Sequence, residues 1–175
     1  MKYFEHESAA TFDEAVSLLK ESPKGKTVVM AGGSDLIGVL KEQILEDYPE
    51  KVVDLKTVRG GEYIKQDGDT IEIGALTKLC DIVKSDLLNE KAPVLSQAAR
   101  SVATPLIRNV ATMGGNICQD VRCWFYRYPH GIGGRMDCMR KGGKECYAVM
   151  GDNRYHSIFG GMKVHTTPCS VQCPA

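Results

Sequence analysis

No long apolar segment occurs in the 175-residue sequence. Every apolar run is far shorter than the roughly 20 residues that span a membrane, and residues 1–7 lack the apolar core of a signal peptide. An excess of charge of one sign is also absent, because 22 Lys plus Arg balance 22 Asp plus Glu. Because no dense run of basic residues occurs, the sequence does not indicate a nucleic-acid-binding surface. We therefore expect a cytoplasmic protein with no membrane and no nucleic-acid partner.

No nucleophile–base pair or catalytic triad stands out either. The four histidines, His6, His130, His156 and His165, are scattered, and a surface or hydrogen-bonding role suits each better than proton transfer. Cysteine, in contrast, is abundant, with seven residues. An odd number in a reducing compartment favours metal or redox use over a disulfide framework.

A glycine turn between a strand and a helix organises the N-terminal third. The β-branched segment Thr27–Val29 leads to Gly32-Gly33, and residues 36–44 then carry apolar side chains at helical spacing. Two glycines let the backbone approach a ligand closely, and the N–H groups that open a helix attract anions. The pattern predicts a phosphate-binding turn, with a purely structural turn as the alternative. A second pair, Gly114-Gly115, strengthens the phosphate prediction.

The segments around the first glycine pair predict scaffold. Thr11 and Glu14 fit a capping box at the start of a helix that ends near Ser22-Pro23. The segment Val52–Leu55 predicts a further strand. Residues 1–55 are thus predicted to form a small α/β unit in the order βαβαβ. The predicted apolar face of its first helix comprises Phe12, Ala15, Val16, Leu18 and Leu19.

A second region begins near residue 60. Alternating polar and apolar residues flank Asp67-Gly68, which is typical of a hairpin. Thr77 is predicted to cap the next helix, and a further helix follows Pro93. Residues 103–116 show no clean period and predict a binding loop. The predicted buried side of the helix after Pro93 comprises Val94, Leu95, Ala98 and Ala99.

Three motifs resemble a known family in order and spacing. They are Ala31-Gly32-Gly33-Ser34-Asp35, then Ile73-Gly74-Ala75-Leu76-Thr77, then Ile107-Arg108-Asn109 leading into Thr112-Met113-Gly114-Gly115-Asn116. They resemble the FAD-binding subunits of molybdenum hydroxylases, which include the flavin subunits or domains of xanthine dehydrogenase, carbon monoxide dehydrogenase and hydroxybenzoyl-CoA reductase. The resemblance covers nearly residues 1–117. It implies an α+β, two-subdomain FAD-binding fold of the molybdopterin-dehydrogenase flavin-subunit type, with the C-terminal flavin-subunit domain missing.

In that family both glycine pairs clasp the FAD pyrophosphate, which implies the same role here. Backbone N–H groups of both turns would bind phosphate oxygens without an obligatory Lys or Arg. Arg108, Thr112 and Asn116 are candidate side-chain donors to the phosphates. The alternative for Arg108 is an ordinary surface charge, for Thr112 the end of a strand, and for Asn116 a turn residue. The full candidate set for FAD is Ala31, Gly32, Gly33, Ser34, Asp35, Leu36, Thr77, Arg108, Asn109, Thr112, Gly114, Gly115, Asn116 and Asp120.

The segment Gln119–Tyr126 resembles the start of an inserted loop in hydroxybenzoyl-CoA reductase-like flavin subunits, where four cysteines hold a [4Fe–4S] cluster. The resemblance implies that Cys123, Cys138 and Cys146 are the first three ligands, and it implies FAD and the cluster as cofactors. The cysteines are more widely spaced than in zinc ribbons, and thiolates are the soft ligands that iron–sulfur clusters use. Residues predicted to offset the cluster's negative charge are Arg122, Arg135, Arg140 and Lys141. Glycines predicted to let the loop fold are Gly131, Gly133, Gly134, Gly142 and Gly143.

Tyr155 stands where the fourth cysteine of that loop is expected. Candidates to complete the ligand set are Cys118, Cys169 and Cys173; otherwise the cluster is three-ligated, altered or absent. The alternative is that several of the cysteines are free thiols, with Cys80 the first candidate for a buried one.

The tail, residues 167–175, resembles the start of a cysteine-rich iron–sulfur segment in glutamate synthase small-subunit-like proteins. It stops after two cysteines, so we expect a truncated gene product or one part of a larger fusion. The expected domains are a small α/β FAD-binding subdomain (1–58), a second α+β FAD-binding subdomain (59–121), a cysteine-rich inserted loop (122–165) and the start of a further cysteine-rich segment (166–175).

The resemblance implies an oxidoreductase subunit, the FAD-binding electron-transfer component of a molybdenum hydroxylase-like enzyme. The implied partners are a molybdenum-cofactor subunit, a [2Fe–2S] subunit and NAD(P) or a ferredoxin-like carrier. No residue acting on the organic substrate is expected in this chain. Two other classes stay open: a cysteine-loop metal-binding scaffold without flavin, and a freestanding flavin-dependent reductase.

Overall fold

The computed structural model describes residues 1–45, 47–129, 131–132, 136–154 and 156, and the backbone of 162–164 and 167–169. Contacts divide the chain into two compact units. We call Tyr3–Ser34 with Pro49–Cys118 the glycine-pair unit, and Met1–Lys2 with Asp35–Tyr48 and Gln119–Pro174 the cysteine unit. The domain boundaries expected from the sequence stay a prediction.

A parallel sheet forms the N-terminal part of the glycine-pair unit. Its strands are β1 (Glu5–Ser8), β2 (Thr27–Met30) and β3 (Lys51–Asp54), with β3 in the middle. Val52 and Val53 of β3 point to opposite faces and are both fully buried, as the central strand of a parallel sheet requires. Helices α1 (Phe12–Glu21) and α2 (Leu36–Lys41) stand between the strands in the chain, which confirms the predicted order βαβαβ.

Helix α1 begins as the sequence predicts. The Thr11 hydroxyl accepts the Glu14 N–H at 3.1 Å, and the Glu14 carboxylate accepts the Ala10 N–H at 2.7 Å, close to a capping box. The predicted apolar face is wrong in part, because only Ala15 is buried and Leu18 half-buried. Four-residue strands give the helix a short surface to cover, and three of its apolar side chains stay exposed: Phe12, Val16 and Leu19.

A hairpin and five short helices complete the glycine-pair unit. They are β4 (Ile64–Asp67), β5 (Thr70–Ile73), α3 (Leu79–Lys84), α4 (Asp86–Lys91), α5 (Pro93–Ser101), α6 (Pro105–Arg108) and α7 (Met113–Ile117). Gly68 has a φ of +56°, and the antiparallel pairing of β4 with β5 confirms the predicted hairpin. The core of this part consists of Leu79, Ile82, Leu88, Ala99 and Ala111.

Two predictions for this part are corrected. On α5, Ser96 and Ala99 are the buried residues, whereas Val94 is 77% exposed and Ala98 is exposed too. Residues 103–116, predicted as a loop, contain α6 and α7. Helices of four and five residues are too short to show a period, and their starts depend on the capping hydroxyls of Thr104 and Thr112.

The cysteine unit contains short elements separated by irregular chain. Besides α2 they are a 3₁₀ turn (Met139–Lys141), α8 (Tyr147–Met150), β6 (Met162–Val164) and β7 (Thr167–Cys169). Val39 and Leu40 of α2 are buried, and the Tyr48 hydroxyl lies 3.3 Å from the carbonyl oxygens of Lys2 and Leu40. In the described part of the chain, every helix is too short or too polar to cross a bilayer.

Candidate functional site

The first glycine pair is required by the backbone itself. A Cβ at Gly32 would overlap the carbonyl oxygen of Val110, so only glycine allows the two segments to touch. Gly33 has a φ of +72°, in the left-handed region where a side chain is strained. Both glycines would therefore be needed even without a ligand.

The amides of this turn are nevertheless open to a ligand. Within the described residues, the N–H groups of Gly32, Gly33 and Ser34 donate no hydrogen bond. Successive unpaired amides in a tight turn form a concave donor group suited to an anion. Ser34 is exposed, and Gly32 and Gly33 are half-buried.

The second glycine pair is bonded differently. The Gly114 N–H donates to the Ala75 carbonyl at 2.8 Å, and the Gly115 N–H donates to the Thr112 hydroxyl at 3.1 Å. The Asn116 N–H donates to the Thr112 carbonyl at 2.9 Å. The Gly114 and Gly115 amides are therefore bonded within the chain in this arrangement. Their use as phosphate donors and the pair's place in a FAD site stay predictions.

Close packing explains the second pair instead. A Cβ at Gly114 would lie 2.9 Å from the Ala75 carbonyl oxygen, and real Cβ atoms do not approach backbone so closely. Thr112 is 6% exposed and caps α7 rather than ending a strand. Both glycine pairs lie in the glycine-pair unit, and Gly32 packs on Val110 four residues before Gly114. The fold thus brings the two motifs together.

Thr77 does not cap the helix that follows it, contrary to the sequence-based prediction. The N-cap of α3 is Lys78, with no side-chain cap. The Thr77 hydroxyl accepts the Tyr63 N–H at 3.0 Å and donates to the Tyr63 carbonyl at 2.9 Å. This buried side chain ties the segment after β5 to the start of the hairpin.

Arg108 bonds to the chain's own backbone. Its Nη1 donates to the carbonyls of Val102 at 2.7 Å and Ala103 at 3.0 Å. Ala103 has a φ of +45°, so the guanidinium stabilises a strained turn after α5. Of the other candidates, Ala31 and Asn116 are half-buried. Asn109, the exposed C-cap of α6, completes this part of the set.

Asp35 is the centre of an ion-pair group in the cysteine unit. Arg127 binds both of its oxygens at 2.9 Å, Arg122 binds one at 3.3 Å, and the Asp120 N–H donates to it at 3.3 Å. Burial raises the pKa of Asp35, but the hydrogen bonds and charge of Arg127, helped by Arg122, outweigh it and hold the pKa below 3.8. Sequence reasoning missed this pair, because the partners are 92 positions apart. The sequence analysis also predicted that Arg122 offsets the charge of an iron–sulfur cluster, whereas in the structure Arg122 bonds to Asp35.

A half-buried tyrosine, Tyr126, lies next to this group. The Tyr126 hydroxyl donates to Asp120 at 2.7 Å. Burial, and then the Asp120 carboxylate, raises the pKa of Tyr126 well above its usual value. The Lys141 ammonium lies 5.6 Å from the centre of the Tyr126 ring. Arg127 and Tyr126 thus anchor the chain just after Cys123.

The Cys138 and Cys146 thiols both act electrostatically on Cys123. Cys123 and Cys138 are buried and Cys146 is half-buried, and residues 138 and 145 form a β-bridge. Burial raises the pKa of the Cys123 thiol; the backbone N–H groups of Tyr126 and Phe125 lower it, and Cys138 and Cys146 raise it. Cys80, expected to be the buried thiol, is only half-buried.

No three His, Cys, Asp or Glu side chains among the described residues are arranged to hold a single metal ion. A four-iron cluster differs from one ion because its ligands bind separate irons and stand farther apart. Five residues named in the ligand and loop predictions lie outside the described residues: Tyr155, Cys173, Gly133, Gly134 and Arg135. Only the backbone of Cys169 is described.

Two further side chains of the cysteine unit have buried polar atoms: His156, whose contact with Cys123 the sequence did not predict, and Arg140, which was predicted to offset the charge of a cluster. His156 Nε2 lies 3.1 Å from the Cys123 sulfur, and its Nδ1 is buried with no hydrogen-bond partner among the described residues. Arg140, two residues after Cys138, has Nε and Nη2 buried and likewise unpaired. No local spacing signal links His156 to Cys123, 33 positions earlier. Residues His130 and His165 lie outside the described residues.

The chain is similar in sequence to FAD-binding subunits of known oxidoreductases. The family model for the FAD binding domain in molybdopterin dehydrogenase matches residues 2–123. The nicotinate dehydrogenase FAD-subunit of Eubacterium barkeri is 34% identical over 117 residues, covering 67% of this chain and 39% of the relative. The aldehyde oxidoreductase FAD-binding subunit PaoB of Escherichia coli (strain K12) is 29% identical over 161 residues, covering 91% of this chain and 48% of the relative.

The chain is also similar in structure to a solved enzyme of this kind. A carbon monoxide dehydrogenase from Hydrogenophaga pseudoflava aligns with a TM-score of 0.63 and 31% identity, over 66% of this chain and 39% of that one. This likeness confirms the predicted α+β FAD-binding fold. The chain spans about two fifths to a half of the length of these relatives.

Proposed function

Because the chain belongs to the family of FAD-binding domains of molybdopterin dehydrogenases, we propose that it binds FAD and serves as the flavin electron-transfer part of a molybdenum hydroxylase-like oxidoreductase. The observation that carries this proposal is the first glycine turn. Three successive unpaired amides, at Gly32, Gly33 and Ser34, lie in the unit that also holds the second glycine pair. Such a donor group suits the pyrophosphate of a dinucleotide.

The two glycine pairs have different roles in this proposal. The first supplies hydrogen-bond donors, and the second allows the chain to pack closely on itself. The amides of Gly114 and Gly115 are bonded to Ala75 and to the Thr112 cap, and the places where their side chains would stand are filled by Ala75 and the Thr112 hydroxyl. The Asn116 side chain is the polar group of α7 next to this pair in sequence. Asp35, Leu36 and Asp120 stay predictions from the sequence.

We extend the proposal to an iron–sulfur loop of the hydroxybenzoyl-CoA reductase-like type in the cysteine unit. The donor set fits: the two buried thiols of Cys123 and Cys138 and the half-buried Cys146 supply soft sulfur. Nε and Nη2 of the Arg140 guanidinium are buried without a hydrogen-bond partner within the described residues, which is costly for part of a charged group. An anionic cluster next to Cys138 would offset that charge. The match to the FAD-binding subunit PaoB extends past residue 123 into this loop, since it covers 161 residues.

When bound, FAD would supply the exchange of electron pairs for single electrons. The chain's own residues bind and orient it: the Gly32–Ser34 amides hold the pyrophosphate, and the packing of Gly32 on Val110 keeps the turn fixed. The partners we propose are a molybdenum-cofactor subunit and a [2Fe–2S] subunit. NAD(P) or a ferredoxin-like carrier is the proposed outside electron carrier.

The test is FAD binding by the purified chain, with two matched glycine variants. Gly33→Ala places a methyl group in the donor turn, and we expect the loss of at least one hydrogen bond to a charged phosphate. Such a bond contributes about 1.5–3 kcal/mol, so the Kd for FAD should rise roughly 10- to 150-fold. Gly60→Ala is the control, since Gly60 has a similar φ of +77° in open space. It adds the same backbone strain, about 1–2 kcal/mol, at a position away from the turn.

The outcomes separate the classes of function. Equal Kd values for Gly33→Ala and Gly60→Ala would contradict the assignment of the amides. A spectrum of the anaerobically purified chain, before and after dithionite, tests for both cofactors. Iron bound without flavin favours a metal-binding scaffold, and NADH oxidation by the isolated chain favours a freestanding reductase.

A further inference from the structure

Asp35 places a negative charge directly after the turn that is proposed to bind the FAD pyrophosphate. It follows Ser34, the last of the three residues with unpaired amides. Consecutive Cα atoms are about 3.8 Å apart, so the Asp35 carboxylate lies within about 10 Å of the Ser34 amide. An isolated carboxylate at this distance would repel a diphosphate. It also could not hydrogen-bond to one, because an ionised carboxylate only accepts.

Helix capping, the usual reason for an aspartate at this position, does not apply here. Asp35 is the N-cap residue of α2, but its side chain makes no capping hydrogen bond, and its φ and ψ of −93° and −51° are already helical. The carboxylate instead accepts two hydrogen bonds of 2.9 Å from Arg127 and one of 3.3 Å from Arg122. Two guanidinium groups therefore converge on the residue that follows the turn.

The charges of this group balance. Asp35 and Asp120 carry two negative charges, and Arg122 and Arg127 carry two positive charges. The side chains of Asp35 and Arg127 are only 17% and 18% exposed, so salt and water screen their charges less than at the surface. The residue after the turn is thus part of a neutral group rather than an isolated anion.

We propose that Arg127, together with Arg122, allows the Gly32–Ser34 turn to accept a pyrophosphate by neutralising Asp35. This inference rests on the proposed binding of FAD at that turn. Arg127 acts as a positioning residue in this scheme, because it holds the Asp35 carboxylate and offsets its charge without bonding to the phosphates. A residue 92 positions after Asp35 would then set the affinity of the glycine motif for its ligand.

The experiment measures the Kd for FAD of the 175-residue chain in wild type, Arg127→Met, Asp35→Asn and the variant with both changes. Arg127→Met removes a positive charge, and the Kd should rise roughly tenfold. Asp35→Asn removes the negative charge, and the Kd should fall by a similar factor. The double variant removes both charges and should return close to the wild-type Kd. Arg154→Met is the control and should leave the Kd unchanged, because Arg154 is paired with Asp152 at the exposed surface.

The double variant separates charge from packing. If Arg127 only holds the chain in place, Asp35→Asn weakens FAD binding as Arg127→Met does, and the double variant stays weak; that result would overturn this inference. The ratio of the Arg127→Met Kd to the wild-type Kd should shrink at about 1 M salt, where the screening length falls to about 3 Å. A ratio that salt leaves unchanged would also overturn it.

A milder variant keeps the test valid if Arg127→Met does not fold. Arg122→Met removes a 53% exposed side chain and leaves the two hydrogen bonds between Arg127 and Asp35 in place, so its Kd should rise by a smaller factor. An unchanged or lower Kd in Arg122→Met would count against the neutralisation of Asp35. A wild-type chain that binds no FAD would contradict the proposed function, and this inference with it.

Discussion

Replacing Arg127 with methionine should destabilise the cysteine unit by about 2 kcal/mol. The guanidinium donates two hydrogen bonds of 2.9 Å to Asp35 and two of 2.7 Å to backbone carbonyls of Asp120 and Val121. The side chains of the pair are 18% and 17% exposed. Exposed pairs contribute about 0.2–1 kcal/mol, and breaking a buried pair costs about 3–5. The intermediate value is expected here, because Arg122 still neutralises Asp35 in the variant.

Arg122→Met is the matched control. It removes one 3.3 Å contact to the same carboxylate from a side chain that is 53% exposed, and it should cost less than about 1 kcal/mol. Urea unfolding is followed by tryptophan fluorescence. The sequence has one tryptophan, Trp124, and it lies in the cysteine unit, so the signal reports the unit that contains the pair. If Arg122→Met costs as much as Arg127→Met, then the bidentate geometry is not what stabilises this region.

The same pair gives a pH dependence with a definite sign. The folded-state pKa of Asp35 is lowered below 3.8, so its contribution to stability is present above that pH and is lost as the pH falls through the lowered value. The difference in unfolding free energy between wild type and Arg127→Met should therefore be full at pH 7 and shrink in acid. A difference that grows as the pH falls would refute the assignment.

Two further predictions concern buried contacts. Thr77→Val removes a hydroxyl that bonds to both the N–H and the carbonyl of Tyr63, and it should lower the free energy of unfolding, measured by thermal unfolding, by about 2 kcal/mol. Thr70→Val, at an exposed strand position, is the control and should lower it by less than about 0.5 kcal/mol. Equal losses in the two variants would show that the buried hydroxyl contributes little. Gly143→Ala should abolish iron uptake, because its Cβ would overlap the Asp137 carbonyl oxygen beside Cys138, whereas Gly131→Ala meets open space. Iron retained in Gly143→Ala would mean that this turn does not shape the site.

The fold was predictable wherever local signals were strong. The β-branched segments of the parallel sheet, the Thr11 cap and the Asp67-Gly68 turn each depend on neighbours within a few residues. Helices α6 and α7 were missed because four or five residues cannot show a period. The role of Thr77 was missed for a different reason: its hydroxyl found a partner 14 positions earlier, across the hairpin.

The candidate site, too, was predictable from the sequence only in part. Motif order along the chain predicted a FAD-binding fold, which the family match confirms. It did not predict which amides are open. Those of Gly114 and Gly115 are already bonded, and only the tertiary structure could reveal this, because their acceptors are Ala75 and the Thr112 cap.

The sequence by itself determined the family and the fold class, since these follow from short motifs whose spacing does not depend on distant contacts. The ligand role that the resemblance implies for the three cysteines stays a prediction. Only the tertiary structure decided the partners of single side chains: Arg127 with Asp35, and His156 with Cys123. The physical reason is that hydrogen bonds and ion pairs act over about 3 Å in space, and a linear sequence carries no distance between residues 33 or 92 positions apart.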